Sequence, residues 1–402
     1  MQLPTIQTPF DNTHNMRWLY TNRVTREITN RITLFFFPIF LFLVGQSLSM
    51  PWNIPDWTKG ILLVAVYHLI LRFLMVIFVL PINQITKKFA ANQTLVMGYG
   101  FRAILYAVLS LSVENPALLI VAVVIEVVDM SLFWPHFHLL LTKSGHKSKM
   151  GSNIGSLQFL MQVLGVLAPI IAITVNNYAG YSAVFLLGIV GSLIGLISAL
   201  RLKSSAEQDH VSWREFLAWV REPRYKRYLL ALGGRMIHDL VMYIWPLYLF
   251  LLLGSVDKVG YLASLSFFLA LFITVIASFH LDKIRNARIF HFTGGILSLL
   301  WLARAISFTP MVIAIIDSVD KLVGNAHWLF FDMLIFRRAK GTQAFSFFVY
   351  QEIVYSGWSF LFWLIITTLL IATQSWVAVF VLSSIGVLLT LLLQGKHGEA
   401  TG

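Results

Sequence analysis

The sequence predicts an all-α integral membrane protein, with twelve transmembrane helices in two pseudo-symmetric six-helix bundles and both termini cytoplasmic. Three observations predict it. The 402 residues are 58% hydrophobic and only 12% charged, with a mean hydropathy of +0.77, whereas soluble domains are roughly a quarter charged. Apolar runs recur along the whole chain, each long enough to cross a hydrocarbon core about 30 Å thick. The basic residues between those runs alternate: 23 fall in one set of segments, and only Lys59 and Lys258 in the opposite set, which is the positive-inside asymmetry.

Taken in order, the expected spans are 33–50, 60–81, 94–113, 116–141, 151–174 and 178–200, then 228–253, 259–281, 288–307, 309–335, 342–372 and 374–394. They divide the chain into an N-terminal bundle (1–200), a cytoplasmic linker (201–227) and a C-terminal bundle (228–402). The first 30 residues, rich in Thr, Asn and Arg, lack the apolar core of a cleaved signal peptide. Arg17, Arg23, Arg26 and Arg31 therefore read as cytoplasmic. In the linker, Trp213, Phe216, Leu217 and Val220 recur at helical spacing opposite Arg214 and Arg221. That pattern suits an amphipathic helix on the inner membrane surface, and equally a solvated connector. There are no cysteines, which excludes disulfides and thiolate metal sites. The net charge of +12 reflects cytoplasmic loops in a chain this apolar, not a nucleic-acid partner.

The two halves repeat. Span four aligns with span ten at a constant offset: Ile125 on Ile316, Glu126 on Asp317, Asp129 on Asp320 and His136 on His327. "PIFLFLVG" from Pro38 matches "PLYLFLLLG" from Pro246, and Arg102 and Arg304 are each followed by Ala-Ile. Six spans, a basic linker and six more, with both ends inside, resemble the major facilitator superfamily. The resemblance covers nearly the whole chain as an architecture. The family's loop motif after span two, Gly-x-x-x-Asp-Arg-x-Gly-Arg-Arg, is replaced here by Lys87 and Ala90, while the loop after span eight keeps Asp282, Lys283, Arg285 and Arg288. The resemblance implies a cytoplasmic-gate role for Asp282 and Lys283. Gly165 and Pro169 in span five resemble the antiporter motif of that family and point to export.

Ionisable groups inside a membrane are expensive, on the order of 3 kcal/mol or more each when unpaired. At 100° per residue, Asp129 and His136 lie about 20° apart on their helix, and Glu126 shares that face. Asp317, Asp320 and His327 repeat the stripe. Carboxylates desolvated there bind protons more readily, and histidine titrates near neutrality. Glu126, Asp129, Asp317 and Asp320 are therefore candidates for proton or ion coupling, with His136 and His327 as relays. Arg102, Arg304 and Lys321 are candidate counter-charges. The alternative is a set of static ion pairs between helices, with Arg102 on Glu126 and Arg304 on Asp320. Further candidates for counter-charge or substrate contact are Arg72, Arg235, His238, Asp239 and Glu352. A buried arginine such as Arg72, with no adjacent acid, wants an anionic partner.

The expected activity is secondary transport of a small organic ion or amphiphile by alternating access, proton-coupled and without a cofactor. The expected partners are lipid, the solute and protons. The expected form is a monomer in the cell membrane, the bacterial inner membrane. A divalent-metal transporter of the same fold is the alternative; "GGRMIHD" resembles a stretch of the ferroportin group, though in the opposite half. A polytopic enzyme or receptor is the alternative of another class, disfavoured by the short outer loops. No Gly-rich loop precedes a Lys-Ser/Thr pair, so ATP-driven pumping has no support.

Overall fold

The computed structural model describes residues 14–49, 54–144, 150–203, 208–281, 287–307, 309–340 and 343–393. Every described element is helical. Thirteen α-helices follow one another: α1 His14–Thr33, α2 Phe37–Ser47, α3 Asp56–Thr86, α4 Ala91–Ser112, α5 Leu118–Ser144, α6 Met150–Leu200, α7 Trp213–Arg221, α8 Lys226–Leu253, α9 Val256–Leu281, α10 Ala287–Ala305, α11 Pro310–Lys340, α12 Ala344–Thr373 and α13 Val377–Thr390. Among the described residues, seven helical stretches are long and apolar enough to cross a membrane. The chain is thus a multi-pass membrane protein. Helix α13, with the short turn after it, is apolar but shorter. Helix α11 is 31 residues long but carries Asp317, Asp320, Lys321 and Asp332, which a hydropathy count penalises.

The first span differs from its expected bounds. The helical stretch that carries it runs His14–Ser47, so the helix begins well before residue 33. Arg26, read as cytoplasmic, is 2% exposed within it. Its half of the stretch is too polar for hydropathy to register, and tertiary partners neutralise its charge instead. Spans five and six are one helical run, α6, broken at Gly180 with φ 73°. Glycine alone among the residues enters that backbone region without a steric cost, so the break falls where a Cβ is absent.

Helix α1 packs on α5 and α6, α2 on α3, α3 on α5, and α4 on α5 and α6. Later in the chain, α8 packs on α9, α12 and α13, α9 on α11, and α10 on α11 and α13. The two sets meet through α3 with α12, α6 with α9, α2 with α8, and α5 with α12. Small residues permit the closest approaches, as they do between helices in lipid. A Cβ on Gly234 of α8 would lie 2.3 Å from the carbonyl oxygen of Gly386 on α13.

Candidate functional site

Asp129 is fully buried, and two arginines reach it. Arg26 of α1 donates from both terminal nitrogens, at 3.0 and 2.8 Å, and Arg102 of α4 donates at 2.6 Å. Fork-to-carboxylate pairing of this kind is short, directional and strong. Arg102 also donates to Asn30 and to the Tyr106 hydroxyl, and the Arg26 guanidinium lies 3.6 Å from the centre of the Phe133 ring. Three helices, α1, α4 and α5, are thus tied to one carboxylate.

The second half builds a related knot with different parts. Arg304 of α10 lies 2.8 Å from Asp317 and 3.4 Å from Asp320. The indole N–H of Trp245 donates to Asp317 at 2.9 Å, and Lys321 stands 3.9 Å away. Arg304 is packed against the Trp301 and Trp245 rings. One half has two cations on one acid, and the other has one arginine on two acids. The expected pairing of Arg102 with Glu126 is corrected here, since Arg102 binds Asp129; Arg304 pairs with Asp320 as expected, and more closely with Asp317.

Glu126 stands apart from its knot. It accepts a hydrogen bond from the Tyr67 hydroxyl at 2.7 Å. Arg72, on the same helix as Tyr67, lies within the electrostatic reach of Glu126 and of Glu352 on α12. Yet among the described residues it is within ion-pair distance of neither. Its Nε is buried without a hydrogen-bond partner, as are His68 Nε2 and Tyr243 Oη. The His68 ring stacks on Trp363 at 4.7 Å and meets Tyr243 edge-on at 4.7 Å. Helices α3, α5, α8 and α12, drawn from both halves of the chain, therefore converge on a polar centre with aromatic walls.

Arg235 pairs with Asp239 at 2.7 Å, and His238 Nδ1 lies 3.3 Å from the same carboxylate. The Arg235 guanidinium rests on the Trp328 ring. The histidines of the stripe are held by other groups than the acids. His136 Nδ1 is bonded to the Leu132 carbonyl at 2.8 Å. His327 bonds Thr390 at 2.9 Å and Thr293 at 3.2 Å, stacked on Phe290. Asp282 and Lys283 lie outside the described residues. Among the described residues, no three His, Cys, Asp or Glu gather into a group able to hold a metal ion.

Sequence reading missed Arg26, Glu27, Asn30, Tyr67 and Trp245. Glu27 lies between Arg31 at 3.1 Å and Arg23 at 3.5 Å. The i, i+4 spacing of Arg23, Glu27 and Arg31 was the available signal that this stretch is helical. Nothing local distinguishes Tyr67 or Trp245 from the other aromatics.

No family model matches the chain, and no curated protein matches it in sequence. Solved structures do match in fold. The human organic anion transporter MFSD10 (TETRAN) superposes with a TM-score of 0.67 at 10% identity, covering 98% of this chain and 100% of its own. A bacterial homologue of the iron transporter ferroportin, in an outward-facing state with soaked iron, gives 0.65 at 15%, covering 94% and 97%. The transporter FucP of the major facilitator superfamily, in its outward conformation, gives 0.60 at 11%, covering 92% and 97%. The chain has the fold of the major facilitator superfamily transporters.

Proposed function

We propose that this chain is a secondary active transporter of a small organic ion, working by alternating access. Two six-helix halves, residues 1–200 and 228–402, rock about a central site and are joined through 201–227. The observation that carries the reading is the polar centre between the halves: Arg72 facing Glu126 and Glu352, with His68 and Tyr243 unsatisfied beside it. Buried polar atoms without partners are costly, and three of them lie together here. The fold likeness supplies the mode of action, since every neighbour described above is a transporter.

Glu126 and Glu352 are the proton-coupling groups in this proposal. Neither is clamped by an arginine within ion-pair distance among the described residues, whereas Asp129, Asp317 and Asp320 are. A carboxylate that alternates between a dry site and water exchanges its proton as the site opens. The arginine-bound acids hold helices in register instead. The divalent-metal alternative shares a fold with the ferroportin homologue, but among the described residues no ligand cluster supports it.

The test is reconstitution into liposomes loaded with a pH-reporting dye. Addition of a transported solute should acidify or alkalinise the lumen in the native protein. Glu126→Gln and Glu352→Gln should each abolish the pH change. A full-sized pH response in both variants would rule out coupling through these groups.

A further inference from the structure

The centre's charges indicate which ion it takes. Arg26 and Arg102 share the single carboxylate of Asp129, leaving one positive charge uncompensated. Glu126, bonded to Tyr67, and Glu352 both lie near Arg72, as does Asp239, which Arg235 holds. Among the described residues none of the three is within ion-pair distance of Arg72. A guanidinium is always ionised, presents a planar fork, and is shaped for bidentate carboxylate. Held more than an ion-pair distance from either glutamate, it is incompletely satisfied, and its Nε has no partner.

Deepening the transporter reading on which it rests, we infer that Arg72 receives the carboxylate of a small organic monoanion. Glu352 is the group that gives way, taking up a proton as the anion arrives. The charge balance of the centre is then the same before and after loading, with one proton entering per anion. A dianionic phosphate would bring one negative charge more than a single proton offsets. The stacked pair His68 and Trp363, with Tyr243 edge-on, offers the anion's apolar body an aromatic wall one helical turn from the guanidinium.

Around Glu352, helix α3 presents Arg72, α8 presents Tyr228, Tyr243 and the Arg235–Asp239 pair, and α12 itself presents Tyr355. Helix α5 places Glu126 beside the shared Arg72, with His136 and His138 packed on Phe345 and Phe348 of α12. Helix α11 faces Tyr355 with Asp332 and Tyr228 with Arg338, and α13 carries no titratable residue.

Two indole probes of one shape and opposite charge test the assignment on the purified full-length protein in detergent. Indole-3-propionate should raise the melting temperature and bind in calorimetry; tryptamine should do neither. Arg72→Gln should weaken the anion by about tenfold or more, the loss of a charge-assisted hydrogen bond, and Arg72→Lys should be intermediate. In the native protein, affinity for the anion should rise as pH falls, by up to about tenfold per pH unit, as uptake of one proton requires. Glu352→Gln, which imitates the protonated acid, should bind more tightly and with no pH slope. If Arg72→Gln fails to fold, Arg72→Lys and Glu352→Gln carry the test. Tryptamine binding in preference to the anion, no binding of the anion, or anion binding indifferent to Arg72 overturns the proposal. An unchanged pH slope in Glu352→Gln overturns the role of Glu352. Binding needs no membrane, so a protein that binds the anion yet moves nothing in liposomes refutes the transport reading and leaves this one standing.

Discussion

At the scale of single residues, the buried acids of this protein divide into two kinds by their partners. Asp129 answers two fully buried arginines, and its removal would strand both cations. Breaking such a pair costs about 3–5 kcal/mol because the remaining charge stays buried. Asp129→Asn is therefore expected to lower the melting temperature sharply and reduce the yield of folded protein. Glu126→Gln should leave the melting temperature within a few degrees of the native value, since an amide still accepts the Tyr67 hydrogen bond. Thermal unfolding of the two variants side by side decides the matter. Equal destabilisation would mean that Glu126 too is structural.

The duplicated acids were legible in the sequence because Glu126 and Asp129 recur as Asp317 and Asp320 in the same register. Which arginines Asp129 would meet was not legible. Arg26 lies 103 positions from Asp129 along the chain, and only packing of α1 on α5 brings them together.

At the scale of elements, the linker helix α7 is tied to both halves. Ser212 caps it by accepting from the Glu215 N–H at 3.2 Å. Tyr350 of α12 donates to Glu215 at 3.0 Å, and Asp209 accepts from the Phe345 N–H at 3.1 Å. On the other side, Gln84 of α3 donates to the Val211 carbonyl at 2.8 Å, and Gln208 donates to the Phe89 carbonyl at 2.9 Å. The segment 208–221 is thus a strap across two sets of helices. The slight burial of Glu215 raises its affinity for a proton, but hydrogen bonds from Tyr350 and Ser212 and the neighbouring His210 outweigh this and hold the carboxyl below its usual range. A depressed acid stabilises fully above its ordinary value, near 4.5, and loses that contribution as pH falls through the lowered one. The strap should therefore hold at neutral pH and loosen only in strong acid. Tyr350→Phe should release it at neutral pH, seen as faster tryptic cleavage at Arg214 and Arg221. Unaltered cleavage would mean that the remaining bonds suffice.

The contact between α8 and α13 gives a second check at this scale. Gly234→Ala places a methyl 2.3 Å from the Gly386 carbonyl oxygen, and the helices must part. Overpacking of this kind costs about 1–3 kcal/mol, so the melting temperature should fall. An unchanged value would show that the backbone there shifts freely.

At the scale of the whole molecule, alternating access requires the two halves to separate on one face at a time. The chain has no cysteines, so any pair introduced is the only pair. Gly260 of α9 and Ile173 of α6 approach across the halves, a Cβ on Gly260 lying 2.7 Å from the Ile173 side chain. Gly260→Cys combined with Ile173→Cys should form a disulfide on oxidation and arrest flux, with recovery on reduction. Full flux in the oxidised double variant would mean that α6 and α9 do not part during transport.

The sequence by itself determined the helical, membrane-embedded class and the recurrence of acids in spans four and ten. Hydropathy, charge alternation and helical spacing are local properties, and they survive in any tertiary arrangement. Only the tertiary structure decided that the polar helix from His14 packs against α5 and α6, that Asp129 is clamped while Glu126 is not, and that Arg72 lies among helices from both halves without an ion-pair partner among the described residues. Those facts depend on which distant side chains meet in a dry interior, where a charge is tolerated or costly according to its nearest partner.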